Sequence, residues 1–220
     1  MFAVKIKNMK YAFICLSLLF VSLANAQDAK ADGILDKASA KIKALKSFYI
    51  EFTASVKNSS NGTNSNLSGK GWVKGNKYSA IYGETTLISN GIKNWSVVKE
   101  EKTVYETSAS ESDEESINPK KLMTIWETGF KSKYDQEETV GSDKVHKIYL
   151  YPKNPKTANY HTIVVYIGKE DNEVKKAILK SKDGTVSTFT MTKFTSNPTI
   201  DDSKFVFDKS KYPGYSVVND

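Results

Sequence analysis

Residues 45–56 read Leu-Lys-Ser-Phe-Tyr-Ile-Glu-Phe-Thr-Ala-Ser-Val, and within this stretch the hydrophobic pattern changes its period. From Phe48 to Val56 large apolar residues occupy every second position, which is typical of a strand with one buried face. On the N-terminal side, between Asp28 and Lys46, apolar residues recur at steps of three and four. That spacing predicts an amphipathic helix. A helix followed directly by a half-buried strand is therefore the first structural unit.

Short β-rich runs follow this strand in close succession. Asn58 to Ser65 is rich in Asn, Ser, Gly and Thr and is interpreted as a hairpin loop, and Asn90-Gly91 and Asp183-Gly184 are signals for tight turns. A second short helix is predicted at Pro119 to Thr128, because proline suits a first helical turn and an apolar stripe follows it. The further predicted strands are 67–74, 77–82, 85–89, 94–98, 103–107, 130–139, 144–151, 161–168, 174–180, 186–194 and 205–207. About eleven strands with few helices favour a mainly β fold with an antiparallel sheet.

The first 26 residues have the pattern of a secretory signal peptide. Three lysines precede an apolar run of 13 residues, Tyr11 to Leu23, and Ala24-Asn25-Ala26 supplies the small residues that precede a cleavage site. The run is shorter than the roughly 20 residues that cross a bilayer as a helix. We expect cleavage after Ala26, which divides the sequence into a signal peptide, 1–26, and a single domain, 27–220.

Composition and charge exclude several functional classes. All 32 basic residues are lysine, and removal of the three lysines in the signal segment lowers the net charge from +7 to +4. A small positive net charge without any arginine is not typical of a nucleic-acid-binding protein. Cys15, the only cysteine, lies in the signal segment, so the mature chain has no disulfide and no thiol nucleophile. Gln27 stands where a lipid-anchored protein would have its acylated cysteine, so an unanchored exported protein is expected.

No group of residues has the pattern of a catalytic site. His146 and His161 lie in predicted strands without metal-like spacing and are interpreted as structural, with a zinc site that includes a carboxylate as the alternative. The cluster Glu111 to Glu115 is interpreted as a solvated loop, with calcium binding as the alternative. Serine elbows and phosphate loops are absent, and the following glycines are assigned to turns and bends: Gly62, Gly69, Gly71, Gly75, Gly83 and Gly91. We therefore expect no enzyme activity, no metal and no cofactor.

An apolar binding face is the functional feature that the pattern favours. The two predicted helices are short relative to the sheet, so part of its apolar face is expected to stay open to an apolar ligand. Ordinary core packing is the alternative for each residue taken singly. By spacing, the candidate lipid-binding residues are Phe48, Ile50, Phe52, Trp72, Tyr78, Trp95, Leu122, Ile125, Trp126, Ile148, Leu150, Ile163, Val165, Phe189 and Met191.

The order of these features resembles the outer-membrane lipoprotein carrier family, LolA, over most of the chain after residue 26. The resemblance implies an unclosed antiparallel β half-barrel with a few short helices as a lid over an apolar cavity. The motifs that carry it are, in chain order, Leu45-Lys46-Ser47-Phe48, Glu51-Phe52-Thr53, Gly69-Lys70-Gly71-Trp72-Val73-Lys74, Tyr78, Ile88-Ser89-Asn90-Gly91-Ile92-Lys93-Asn94-Trp95, Phe205-Val206-Phe207 and Tyr212-Pro213-Gly214-Tyr215-Ser216-Val217.

The resemblance also implies a function. Members of this family are periplasmic chaperones that take acylated lipoproteins from an inner-membrane lipoprotein-releasing ABC transporter, shield the acyl chains and deliver them to the outer membrane, where an acceptor can receive them. A monomer without cofactors is expected. The alternative is a related half-barrel that binds another lipid or senses lipoproteins in an envelope-stress pathway.

One segment departs from the family pattern. Family members commonly carry an arginine after the Trp-Val-Lys strand that hydrogen-bonds to the lid. In this chain that segment reads Gly75-Asn76-Lys77-Tyr78-Ser79. Lys77 supplies a single charge and cannot reproduce the planar fork of five donors of an arginine. The arginine-based gating of the lid is therefore not carried over to this chain, while the carrier role is.

Overall fold

The computed structural model describes residues 28–109 and 123–219. Within them lie an α-helix, α1 (28–44), three short 3₁₀ helices and 12 strands, which confirms the mainly β fold. The 3₁₀ helices are Ile125–Glu127, Asp202–Phe205 and Lys209–Lys211. The strands are β1 Ser47–Asn58, β2 Thr63–Lys74, β3 Lys77–Tyr82, β4 Thr85–Ser89, β5 Lys93–Val98, β6 Thr103–Ser108, β7 Phe130–Val140, β8 Asp143–Pro152, β9 Tyr160–Gly168, β10 Val174–Ser181, β11 Val186–Ser196 and β12 Ser216–Asn219. The expected signal peptide and the acidic cluster at 111–115 lie outside the described residues.

All the strands belong to one open sheet. Strands β1 to β6 form one antiparallel meander, β7 to β11 form a second, and the antiparallel pairing of β1 with β11 joins the two. Strand β12 adds to β6 in parallel, with Val217 opposite Val104. The edge strands β7 and β12 do not pair with each other in the described ranges, so the sheet is not closed. None of the helices in those ranges is long and apolar enough to cross a membrane.

The apolar stripe of α1 lies against one face of this sheet, which we call the inner face. Ala31, Leu35 and Ala38 are almost completely buried, and they pack with sheet residues that include Ile148 and Val165. The helix ends at residue 44, two residues before the predicted end, and β1 starts at Ser47. The short connection holds the helix over the sheet because β1 is a central strand, paired along its length with both β2 and β11.

The C-terminal segment, residues 197–219, packs on the opposite face, which we call the outer face. It covers Ile88, Trp95, Val97 and Val104 of strands β4 to β6. The residues of the segment that make these contacts are Phe207, Tyr212, Tyr215 and Val217. The sheet therefore has apolar residues on both faces, and a different part of the chain covers some of them on each face.

The prediction of a strand at 205–207 was wrong. Phe205 ends a 3₁₀ helix, and Asp201 caps that helix by accepting a hydrogen bond from the Ser203 backbone N–H at 2.8 Å. An aspartate in this position satisfies a free N–H of the first turn and favours helix over strand. The last strand is instead β12, eleven residues further along the chain.

Two other boundaries differ from the prediction. In the described part of Pro119 to Thr128 there is only the 3₁₀ helix Ile125–Glu127, followed by Thr128 in an extended conformation. The hairpin loop expected at 58–65 is shorter, because β1 runs to Asn58 and β2 begins at Thr63. The polar ends of these strands pair because the ladder bonds are made by the main chain.

Candidate functional site: the inner face of the sheet

The inner face carries two apolar clusters beneath α1 and residues 123–127. One is formed by Phe48, Ile50 and Tyr78 with Phe52 and Met191 at its margin. The other brings together Ile125, Trp126, Ile148, Leu150, Ile163 and Val165 with the apolar stripe of α1. Eleven of the fifteen candidate residues named from the sequence thus meet in these two clusters.

The remaining four candidates have different positions. Phe189 lies on the inner face, directly opposite Ala54 of β1 and Ala177 of β10, and is 42% exposed. Leu122 lies outside the described residues. Trp72 and Trp95 are on the outer face, which corrects their expected inward orientation.

The register of the strands explains the two tryptophans. Residues directly opposite each other in neighbouring strands share a face. Phe48 is paired with Val73, so its neighbour Trp72 points to the other face together with Tyr49. Trp95 is opposite Ile88 and packs against Phe207 of the C-terminal segment, with ring centroids 6.0 Å apart.

Two glycines leave room on the inner face, a role that their assignment to turns had missed. Gly69 and Gly71 lie inside β2, opposite Phe52 and Ile50 respectively. A Cβ atom on Gly69 would lie 2.3 Å from Phe52 Cζ and 2.9 Å from the carbonyl oxygen of Ile81. The Phe52 ring therefore lies directly over the backbone at Gly69. The signal in the sequence was their spacing, since glycines two positions apart in a strand share one face.

An apolar strip on the inner face remains partly exposed to solvent. It is formed by Phe52, Leu179, Phe189 and Met191, from strands β1, β10 and β11. The rings of Phe52 and Phe189 are 6.4 Å apart between centroids and tilted by 56°. Leu179 was not among the candidates, and in the structure it lies in β10, all of whose residues are partly exposed.

Polar contacts hold α1 over the sheet. The Trp126 indole N–H donates to Ser39 Oγ at 2.9 Å and reaches the Leu35 carbonyl oxygen at 3.2 Å. Lys41 Nζ lies 2.7 Å from Glu173 Oε1 and also donates to the Asp171 carbonyl oxygen at 2.9 Å. These contacts connect the helix to the β6–β7 connection and to the turn between β9 and β10.

Lys77, which stands in the segment where the family commonly has arginine, does not contact α1. Its ammonium group lies 3.2 Å from Asp202 Oδ2, in the 3₁₀ helix on the outer face. Lys74 lies 2.8 Å from the other oxygen of the same carboxylate, and the two lysines lower the pKa of Asp202. The polar contacts that hold α1 in this chain include those of Trp126 and Lys41, the ion pair of Lys43 with Glu127 and the hydrogen bond from Ser132 to Asp32.

His146 is a titratable group on the inner face, in the middle of β8. Its side chain is 16% exposed and its ring meets Tyr134 edge-on at 5.8 Å. Burial lowers the pKa of His146, while Glu137, whose carboxylate is 3.9 Å from Nδ1, raises it. His161 is exposed and contacts Thr162 Oγ1. No group of three or more His, Cys, Asp or Glu side chains suited to a metal ion occurs in residues 28–109 and 123–219.

Several solved structures of similar fold align over nearly the whole of their own chains, among them the following three. An uncharacterized conserved protein of Thermus thermophilus aligns with a TM-score of 0.59 and 9% identity, covering 87% of this chain and 99% of its own. A LolA superfamily protein of Nitrosomonas europaea aligns with a TM-score of 0.42 and 13% identity over 80% of this chain and 97% of its own. The lipoprotein LppX of Mycobacterium tuberculosis aligns with a TM-score of 0.45 and 12% identity over 77% and 98%.

The sequence itself identifies the family. A comparison with curated proteins at the level of sequence gave no match. Residues 43–208 match the model of the family described as outer membrane lipoprotein carrier protein LolA. That range begins at the end of α1 and includes strands β1 to β11, and thus the whole inner face. By this match over most of its length, the chain belongs to the LolA family.

Proposed function

We propose that this protein is a periplasmic chaperone that binds the acyl chains of lipoproteins on its inner face and carries them from the inner to the outer membrane. LolA-family proteins act in the cell envelope and are not enzymes. The observation that carries the proposal is Phe189, a large apolar side chain that is 42% exposed on the face that α1 otherwise covers. The signal peptide expected at 1–26 would bring the chain to the periplasm.

The chemistry of the apolar strip suits an acyl chain. Phe52, Leu179, Phe189 and Met191 offer carbon surface and one polarizable thioether, which adapts to a flexible ligand. Each methylene group removed from water contributes about 0.8 kcal/mol, so an acyl chain of about 15 methylenes gains on the order of 10 kcal/mol in a fully apolar site. That gain is large enough to offset the loss of a few polar contacts.

Entry of an acyl chain requires α1 and residues 123–127 to move away from the sheet. The polar contacts between α1 and the sheet that oppose this movement are the ion pair of Lys41 with Glu173, the hydrogen bond from Ser132 Oγ to Asp32 and the approach of Lys30 Nζ to the Tyr134 ring. A hydrogen bond of this kind contributes about 1 kcal/mol net to stability. The closed arrangement is therefore held weakly enough for acyl chains to replace the apolar stripe of α1, and release follows when a membrane or acceptor offers a better apolar site.

Extraction of a lipoprotein tests the proposal directly. The purified protein is expected to form a soluble one-to-one complex with a triacylated lipoprotein when it is mixed with vesicles that contain the lipoprotein and its releasing ABC transporter. Phe189→Glu should reduce extraction strongly, because it places a charge in the apolar strip. Val206→Glu is the matched control, since Val206 is 52% exposed but follows the 3₁₀ helix Asp202–Phe205. Failure of the unaltered protein to extract any lipoprotein contradicts the proposal.

Tryptophan emission reports the site of binding. A fatty-acid probe is expected to change the emission of Trp126, which lies beneath α1, and not that of Trp95, which lies on the outer face. The response should therefore persist in Trp95→Phe and disappear in Trp126→Phe. A response that disappears only in Trp95→Phe would place the ligand on the outer face.

Depletion of the protein in cells separates the carrier role from its alternative. Mislocalised lipoproteins are the expected result, because carriage is the proposed function. A change in envelope-stress transcription with correctly localised lipoproteins would instead favour a lipoprotein sensor.

A further inference from the structure

A second concave site lies on the outer face, away from the apolar strip. It is a cleft of about 650 Å³ between strands β1, β2 and β11 and the C-terminal segment. Tyr49 and Trp72 form one wall, with ring centroids 5.1 Å apart. Three lysines line the cleft, namely Lys193, Lys204 and Lys211. The proposed carrier function makes no use of this cleft.

The positive charge of the cleft is incompletely neutralised. Lys204 Nζ lies 3.9 Å above the Trp72 ring centroid, and Lys70 Nζ approaches the same ring at 5.6 Å. Across the described ranges, neither of these two ammonium groups has an ion-pair partner or a hydrogen-bond acceptor. Burial lowers the pKa of Lys204, and the positive charges of Lys70 and Lys211 lower it further. An aromatic ring attracts a cation without cancelling its charge.

The acidic groups around the cleft, of which Asp201 is part of its lining, make their contacts with residues other than Lys70 and Lys204. Asp201 accepts a hydrogen bond from the Ser203 backbone N–H at 2.8 Å, and Asp202 pairs with two lysines at the end of β2 and the start of β3. Asp208 accepts from the Ser210 backbone N–H at 3.0 Å and lies 3.6 Å from Lys211 Nζ. Glu51 accepts from the Tyr49 hydroxyl at 2.8 Å and lies 3.9 Å from Nζ of Lys193, so Lys193 and Lys211 each have an acidic neighbour. An anion from outside the chain is the group that would balance Lys70 and Lys204.

We infer that this outer cleft binds a phosphate-bearing ligand. Lysine ammonium groups bind phosphate as compact point charges, and the chain has no arginine that could supply a bidentate fork instead. Hydroxyl groups of Thr195, Thr199 and Ser203 also line the cleft and can donate to phosphate oxygens. The volume of about 650 Å³ leaves room for a small polar group attached to the phosphate. A phospholipid headgroup and a soluble phosphate ester share this chemistry.

The indole N–H resonances of the three tryptophans provide a test that separates the two faces. Titration with sn-glycerol 3-phosphate is expected to shift the Trp72 resonance. The Trp126 and Trp95 resonances should stay in place, because their N–H groups are bonded to Ser39 and to Glu106 far from the cleft. A fatty-acid probe for the inner face should act on Trp126 instead, so the two sites can succeed or fail independently.

Lysine variants give the matched comparison. The double variant Lys70→Gln/Lys204→Gln is expected to weaken the affinity for sn-glycerol 3-phosphate about tenfold or more, since charge-assisted hydrogen bonds are lost. Lys156→Gln, which removes an exposed lysine between β8 and β9, should change it less than about twofold. Circular dichroism of both variants confirms that each is folded.

The source of the phosphate is decided by a second measurement. Co-sedimentation with phosphatidylcholine vesicles that contain phosphatidylglycerol, lost in the double variant, assigns the cleft to a lipid headgroup. Binding of sn-glycerol 3-phosphate without such co-sedimentation assigns it to a soluble phosphate ester. The inference is overturned if neither probe acts on Trp72, or if glycerate or chloride at equal ionic strength produces the same shift.

Discussion

Replacement of Gly69 by alanine tests whether the inner face depends on the close approach of Phe52 to the β2 backbone. The added Cβ would lie 2.3 Å from Phe52 Cζ, so the ring has to move by roughly 1 Å to reach the ~3.5 Å separation of touching carbon atoms. The Ile81 carbonyl oxygen, 2.9 Å from the same position, belongs to the backbone of β3 and cannot turn away. Overpacking of this kind costs about 1–3 kcal/mol, against a gain of about 0.5–1 kcal/mol from replacing glycine in a strand.

Gly71→Ala is the matched control, because Gly71 lies on the same strand and the same face. Its added Cβ would come no closer than 3.3 Å to Ile50 Cγ1 and 3.8 Å to the Ser79 carbonyl oxygen. We expect urea unfolding to show Gly69→Ala less stable than the unaltered protein and Gly71→Ala equal to it or slightly more stable. Gly69→Ala should also alter the affinity for a fatty-acid probe, since Phe52 is part of the apolar strip. Equal stability of the two variants would refute this account of the glycines.

Two further predictions concern groups around α1. Lys41→Gln removes the ion pair with Glu173, in which the lysine and glutamate side chains are 28% and 15% exposed. The substitution should lower the free energy of unfolding by about 1 kcal/mol and speed hydrogen exchange in α1. Unchanged exchange in α1 would show that this pair does not hold the helix. Burial lowers the pKa of His146 in the folded protein from its ordinary value of 6.5. At pH values between the folded and the unfolded pKa, the unfolded chain binds more protons than the folded protein. The free energy of unfolding should therefore decrease as the pH falls below about 6.5. His146→Leu should remove part of this loss in urea titrations at pH 7.5 and 5.5, whereas the exposed control His161→Gln should not.

Most strands of the sheet could be predicted because the pattern that indicates each strand lies within its own residues. From Phe48 to Val56 the alternation of apolar and polar residues needs only one buried face, and tight turns such as Asn90-Gly91 and Asp183-Gly184 separate neighbouring runs. The apolar stripe of α1 is equally local, since residues three and four positions apart share a helix face. The residues of β8 that face α1 followed from the same alternation, whereas β9 is a continuous apolar run that is buried on both faces.

The orientation of Trp72 and Trp95 could not be obtained in this way. Trp72 and Val73 are adjacent apolar residues, so the pattern of β2 alone fits either face, and only the pairing of Val73 with Phe48 decides between them. Trp95 alternates correctly with Val97, but both are covered by residues that follow position 205. The prediction of a strand at Phe205 was wrong for a related reason. The side chain of Asp201 caps a 3₁₀ helix at this point, and this contact outweighs the apolar pattern that indicated a strand.

The parallel pairing of β12 with β6 also has a consequence for the order of folding. Ser216 lies opposite Thr103, so this contact joins parts of the sequence that are far apart, and such contacts form slowly. In a chain synthesised from its N-terminus, the edge of β6 and the apolar residues near it stay exposed until residues 207–217 have been made and have packed on them. An uncovered strand edge is a template for pairing with another chain. Partly synthesised or unfolded molecules are therefore expected to aggregate through β6, and a folding helper that occupies this edge would protect them until β12 arrives.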